Sequence, residues 1–338
     1  MSPTFPQRKI GDDFVSSIGF GCMSLAVPPA PSEEEALQLL TAAADKGINF
    51  WVTSNHYGPA EKIIGRWFKE TGRRNEIFLA TKIGPKMVDG KMETDGTPEH
   101  VKKACYASLE RLQTDHIDLY APSRVDPTIP IEKTVQALVE LKNEGKIRYL
   151  GLSECSARSL KRAHAVHPIA AAEMEFSPFA LDIETPETNF LATARELGVK
   201  IMCYSPLGRG FLTGTIQSRD DMDDADMRKK FHPKFSEENF AGNLKIVQAI
   251  EKIARRKGVK PGQLALAWVM AQGDDFIPIP GTKRVKYLEE NAAAVDVELT
   301  SEDDESIRQA IGSLGGRKGE RYPAMFLSQL FADSPELE

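Results

Sequence analysis

No apolar run in the 338-residue chain is long enough to cross a bilayer, which argues against a membrane role. Cysteine is scarce: Cys22, Cys105, Cys155 and Cys203 stand far apart with no C-x-x-C pair, so neither a disulfide framework nor a thiolate metal site is indicated. Free thiols in a reducing cytoplasm are the simplest reading, and the opening MSPTFPQRKI lacks the apolar core of a secretory signal. Positive charge is not in excess either. A formal net charge of −6 gives no general attraction for phosphate backbones, so nucleic acid is not the expected partner and any anion site must be local. There is also no fixed sequence period, and GFGCMS in the first turn is not the glycine fingerprint of an open dinucleotide-binding sheet.

What is present is an architectural rhythm. With 41% hydrophobic and 27% charged residues the composition is that of a globular protein, and its length suits one α/β barrel. Strand IGFGC (18 to 22) precedes a helix over 32 to 46, started by Ser32 and glutamates and ended by Gly47. INFWV (48 to 52), a helix over 60 to 70, and EIFLATK (76 to 82) follow. Helices over 98 to 112, 131 to 144 and 157 to 166 alternate with HIDLYA, IRYLGL and AAAEME. A helix over 186 to 197 leads to VKIMCYS, and helices over 241 to 257 and 262 to 271 lead to FIPIPG. Eight strands, each feeding a helix, predict a (β/α)8 TIM barrel as a single domain over 1 to 338. The polar stretch from Thr215 to Asn239, broken by Pro233, is long for a plain connection and reads as a lid; the tail from about 315 to 338 is expected near the pocket.

Barrel chemistry sits at the C-terminal ends of the strands. There Tyr57 follows the second strand and Lys82 closes the third, a phenol and an ammonium able to act as proton donor and pKa-lowering partner. Neither is specific alone. After the last strand, Gly281, Thr282, Lys283 and Arg284 combine backbone N–H groups with two cations, an anion site or simply a solvated basic turn. Trp51, Phe179, Phe211, Tyr322 and Phe326 are either an apolar substrate wall or core.

GFGCMSL, TSNHYGP with EKIIGRWF, IFLATKIG, IDLYAPSRVDPTIPIE, GLSECSARSLKRA, YSPLGRGFLTG and IPIPGTKRVKYLEEN occur in an order and spacing that resembles the aldo-keto reductases over nearly the whole chain, most closely the fungal and bacterial branch that includes pyridoxal reductases. The resemblance implies NADPH/NADP+, a small-molecule carbonyl substrate and no metal. It makes Tyr57 the proton donor and Lys82 its lysine. It places Gly21, Met23, Ser153, Glu154, Glu173, Tyr204, Ser205, Leu207, Arg209 and Gly214 along the nicotinamide and pyrophosphate. It gives Gly281, Thr282 and Lys283 the 2′-phosphate, and Glu290 and Asn291 the adenine.

Two departures stand out. Val52 occupies the position of the aspartate that pairs with the lysine, and Ser123 that of the histidine that orients the carbonyl. Glu154 and Glu173 replace an Asn and a Gln beside the carboxamide. Without a carboxylate partner, Lys82 is expected to have a depressed pKa, with about 10- to 100-fold of the acid-catalysis term lost. Restoring Val52→Asp would test this. His56 is a candidate auxiliary donor, although a neighbour in a turn commonly points to solvent. Besides carbonyl reduction by a cytoplasmic monomer or weak homo-oligomer, two readings stay open. One is non-redox proton transfer or dehydration of a specialised metabolite; the other is a cofactor-binding regulatory subunit.

Overall fold

In the computed structural model, which describes residues 5 to 88 and 91 to 337, eight parallel strands follow one another around a (β/α)8 barrel. They are β1 (Phe20–Gly21), β2 (Phe50–Val52), β3 (Phe78–Ile83), β4 (Ile117–Pro122), β5 (Ile147–Ser153), β6 (Ala171–Glu175), β7 (Lys200–Tyr204) and β8 (Phe276–Pro278). The first and last strands meet through Gly19 N–H to Pro278 O at 2.9 Å and Gly21 N–H to Pro280 O at 3.1 Å. This seam is tight. A Cβ on Gly21 would lie 2.7 Å from Ile279 O, and one on Gly281 would lie 2.9 Å from Gly21 O.

Helices α1 (Glu33–Asp45), α2 (Ala60–Thr71), α3 (Pro98–Leu112), α4 (Ile131–Asn143), α5 (Ala157–Val166) and α6 (Phe190–Glu196) ring the strands. Ser32 forms a reciprocal cap with Glu35, and Thr97 caps α3 just before Pro98. Trp51 and Trp67 pack in the layer between strands and helices, with ring centroids 4.8 Å apart. Phe179 and Phe211 stack at 5.5 Å and are also fully buried. Of the five candidate wall residues, Trp51, Phe179 and Phe211 are therefore core, whereas Tyr322 and Phe326 keep partial exposure.

Two boundaries differ from expectation. The helix expected from 186 starts at Phe190, because Pro186 lies in a turn and Asn189 takes a left-handed conformation (φ 45°). The helix expected from 241 starts earlier, at Glu237, where the Ser236 hydroxyl accepts from Asn239 N–H. A hairpin that the sequence reading passed over, Gln7–Ile10 with Asp13–Ser16, turns through Gly11 (φ 59°) and Asp12. Its Ile10 and Val15 join the apolar interior of the barrel with Phe50, Phe78 and Leu119, so the N-terminal end of the barrel is floored.

The stretch from 215 to 239 folds into three short helical turns and is pinned from below by the fully buried Lys234. The C-terminal tail runs back to the mouth. Ala332 N–H donates to Glu154 O and Ser156 N–H to Ala332 O, both at 3.0 Å. No helix among the described residues is long and apolar enough to cross a membrane.

Candidate active site

Alternation along the strands decides which side chains face the barrel axis. Phe50 and Val52 of β2, Phe78 and Ala80 of β3, and Leu119 and Ala121 of β4 form the apolar interior. Continuing the same parity by one step brings Lys82 and Ser123 to the mouth, joined by Ser153, Glu173 and Tyr204 from β5, β6 and β7.

Lys82 Nζ lies 2.5 Å from Glu173 Oε2, and both side chains are almost fully buried. The same ammonium is 5.5 Å from the centre of the Tyr57 ring. This corrects the expectation drawn from Val52. Burial alone would depress the Lys82 pKa, but the facing Glu173 carboxylate and the Tyr57 phenol outweigh it, and the net shift is upward. Val52 is one of the inward apolar residues beneath, and the lysine has its carboxylate from another strand.

Tyr57 is held by the turn after β2. Its N–H donates to Ser54 O at 3.1 Å, and its carbonyl accepts from Ala60 N–H at 3.0 Å, the entry to α2. Asn55 ties this turn to the end of β3: its N–H donates to Lys82 O at 3.0 Å, and its side-chain oxygen accepts from Gly84 N–H at 2.8 Å. The phenol is pushed above its ordinary pKa by burial, with Lys82 pulling in the opposite direction. His56 packs edge-on against Tyr57 at 4.6 Å, and its Nδ1 is 2.8 Å from Ser54 Oγ. Partial desolvation against Tyr57 and Ser54, together with the cations Lys82 and Arg124, lowers its pKa to about 4. The His56 side chain nonetheless keeps solvent contact, the outcome expected of a neighbour in a turn.

Ser123 and Ser153 are buried with hydroxyls that have no partner. Glu154, in contrast, is fully engaged. In a left-handed conformation (φ 48°), it accepts from Tyr204 Oη at 2.8 Å and from Glu175 N–H at 3.2 Å through one oxygen, and from Arg321 Nη2 at 2.6 Å through the other. Arg321 also approaches Glu175 at 3.7 Å, and Lys234 meets that carboxylate at 3.5 Å. Burial opposes ionisation of Glu175, yet Lys234 and Arg321 hold it below its usual range; burial lowers Lys234 to about 8. Neither Arg321 nor Lys234 was singled out from the sequence, where a basic residue in a polar loop or tail reads as solvated.

Above Tyr204, Arg209 Nη2 donates to Tyr322 Oη at 2.8 Å, and that hydroxyl donates to Tyr204 Oη at 3.2 Å. Arg209 Nε is buried without a partner. Ser205 and Arg209 take left-handed backbone, and Gly210 and Gly214 do the same in the turn that includes Leu207. Across the seam, Ser24 Oγ donates to Thr282 O at 2.6 Å, linking the first turn, with its exposed Met23, to the last. Lys283 Nζ donates to Pro29 O at 2.8 Å, and burial plus the nearby Arg228 cation lower its pKa. Glu290 pairs with Lys260, and Asn291 is buried in the helix that follows the turn. Arg228, from the 215 to 239 stretch, donates to Arg209 O at 2.9 Å, a contact between that stretch and the turn after β7 that sequence alone does not reveal.

A family model described as Aldo/keto reductase family matches residues 17 to 311, and the chain belongs to that family. It is 50% identical over 339 residues to the Schizosaccharomyces pombe protein named Aldo-keto reductase yakc [NADP(+)], covering 99% of each chain. It is also 50% identical over 343 residues to Aldo-keto reductase str7 of Strobilurus tenacellus, covering 98% of each. Among solved structures it resembles the glycerol dehydrogenase AKR11B4 from Gluconobacter oxydans, with a TM-score of 0.83 at 26% identity, over 93% of this chain and 97% of that one.

Proposed function

We propose that this protein reduces a small aldehyde or ketone to its alcohol with NADPH, using Tyr57 as proton donor and Lys82 as the cation beside it. The observation that carries this reading is the Lys82 ammonium 5.5 Å from the Tyr57 ring at the mouth of the barrel. The raised phenol pKa keeps Tyr57 protonated at neutral pH, so it has a proton to give. As negative charge develops on the carbonyl oxygen, Lys82 stabilises the tyrosinate left behind.

The groups available for the cofactor fit that chemistry. Ser153 Oγ and Arg209 Nε are buried and unpartnered, polar atoms that a bound cofactor would satisfy. NADPH held there supplies the hydride. Ser153 would hold the nicotinamide amide, Arg209 and the turn after β7 the pyrophosphate, and Lys283 the 2′-phosphate. Glu154 has both oxygens committed to Tyr204, Glu175 and Arg321, so it supports the site from behind rather than touching the cofactor.

The chain acts as one barrel domain, a monomer or weak homo-oligomer. Its four unpaired thiols suit the cytoplasm. The non-redox alternative drew on a missing carboxylate; with Glu173 on Lys82, half of that ground is gone. The test is NADPH oxidation against a panel of aldehydes and ketones. Carbonyl-dependent turnover that Tyr57→Phe abolishes while NADPH still binds supports the reading. Turnover of a substrate with no nicotinamide present refutes it.

A further inference from the structure

We infer that Glu173 is the positioning carboxylate of Lys82, supplying from β6 what an aspartate at position 52 would supply from β2. The inference rests on the reductase reading for its kinetic test only. Its basis is geometric: the 2.5 Å contact is buried, and it joins strands with two others between them, so the Glu173 side chain reaches across the mouth to the ammonium. The interior layer beneath offers no alternative. Val52, Ala80 and Ala121 are apolar, and an ammonium above them would be costly to keep charged without a partner.

The groups that act on Lys82 are Glu173, Tyr57 and Arg124; Cys22 and His56 in turn feel its charge, and Tyr322 acts on Tyr57. Glu173 is the carboxylate within ion-pair distance of Lys82 among the described residues. Resemblance alone would make Glu173 a ligand of the nicotinamide amide. Its Oε2, however, is already bound to the lysine, and the two roles predict different behaviour.

Glu173→Gln removes the charge with little change of shape. Losing a negative charge beside Tyr57 and Lys82 makes the pair release its proton at lower pH. The alkaline limb of kcat therefore moves down by about one pH unit or more, and kcat falls ~10- to 100-fold. NADPH affinity, read from quenching of protein fluorescence, stays within about threefold. Glu173→Asp keeps the limb near that of the parent and loses only part of kcat. Adding Val52→Asp to Glu173→Gln moves the limb back up. An unmoved limb combined with a tenfold or greater loss of NADPH affinity overturns the proposal and makes Glu173 a cofactor ligand. A folded double variant whose limb stays with Glu173→Gln also overturns it.

If the parent protein turns over no carbonyl, the reductase reading fails by itself, and the pairing is then read from thermal unfolding. The folded-state pKa of Lys82 lies above its ordinary 10.5, so the stability it contributes is full below 10.5 and is lost as pH rises through the folded value. The Tm difference between parent and Glu173→Gln should be wide near neutrality and shrink in strong alkali. A difference that is constant with pH means a purely structural contact and overturns the assignment.

Discussion

Arg321 of the C-terminal tail and Glu154 at the end of β5 form an ion pair of 2.6 Å with side chains 2% and 0% exposed. An arginine this deep is held by paired carboxylates, here Glu154 and, at 3.7 Å, Glu175. Arg321→Met should cost about 3–5 kcal/mol, because it leaves buried negative charge without its cation. Urea unfolding measures this. Adding Glu154→Gln to that variant should recover part of the loss, since the penalty lies in the unpaired charge rather than in the missing guanidinium, while Glu175 still has Lys234 beside it.

The four cysteines are free and buried, and burial pushes each thiol up, Cys105 to about 12. Only a thiolate attacks an aromatic disulfide reagent. At about pH 8 the folded protein should therefore label very slowly, with all four thiols appearing at once in denaturant. Rapid labelling of one cysteine in the native protein would show that its surroundings are open.

His56 is neutral through the physiological range, with its pKa held at about 4. His56→Ala should change carbonyl reduction by less than about threefold from pH 5 to 8, whereas Tyr57→Phe should remove it. A rate that falls tenfold in His56→Ala with Tyr57 intact would return His56 to the proton path.

Gly84 sets the distance between the β3 exit and the turn that carries Tyr57. A Cβ there would lie 2.1 Å from His56 Nδ1 and 2.6 Å from His56 Cβ, so rotating the ring cannot relieve the clash. Gly84→Ala should shift the turn carrying Tyr57, lowering kcat by about tenfold or more and stability by about 1–3 kcal/mol. Steady-state kinetics and denaturant titration give the two numbers independently.

Much of the barrel was legible because buried strands and capped helices announce themselves locally. Ser32 and Gly47 mark ends that the structure keeps within a residue or two. The floor hairpin was not among the expected elements: Gly11–Asp12 is a turn signal, but its strands are four residues each and largely polar, too short to stand out as a pattern. Lys82 and Tyr57 could be placed from strand ends and motif order. The Lys82–Glu173 pair could not: the two residues are 91 positions apart, and only closure of the sheet brings their strands face to face. The same holds for Lys234 and Arg321. Their sequence surroundings are polar, and nothing local says that a cation will be buried against Glu175.

The tail's place over the mouth bears on how the protein is made. Strands β5 and β6 bring Glu154 and Glu175 into the interior, yet Arg321, which offsets them, lies in the segment beyond the last strand. On the ribosome, all eight strands can emerge while the arginine is still inside the exit tunnel, with Lys234 the one buried cation at Glu175 and none yet at Glu154. Locking of the finished barrel thus waits for the segment that follows β8, and a chain stopped just short of Arg321 carries every strand but not the closed mouth.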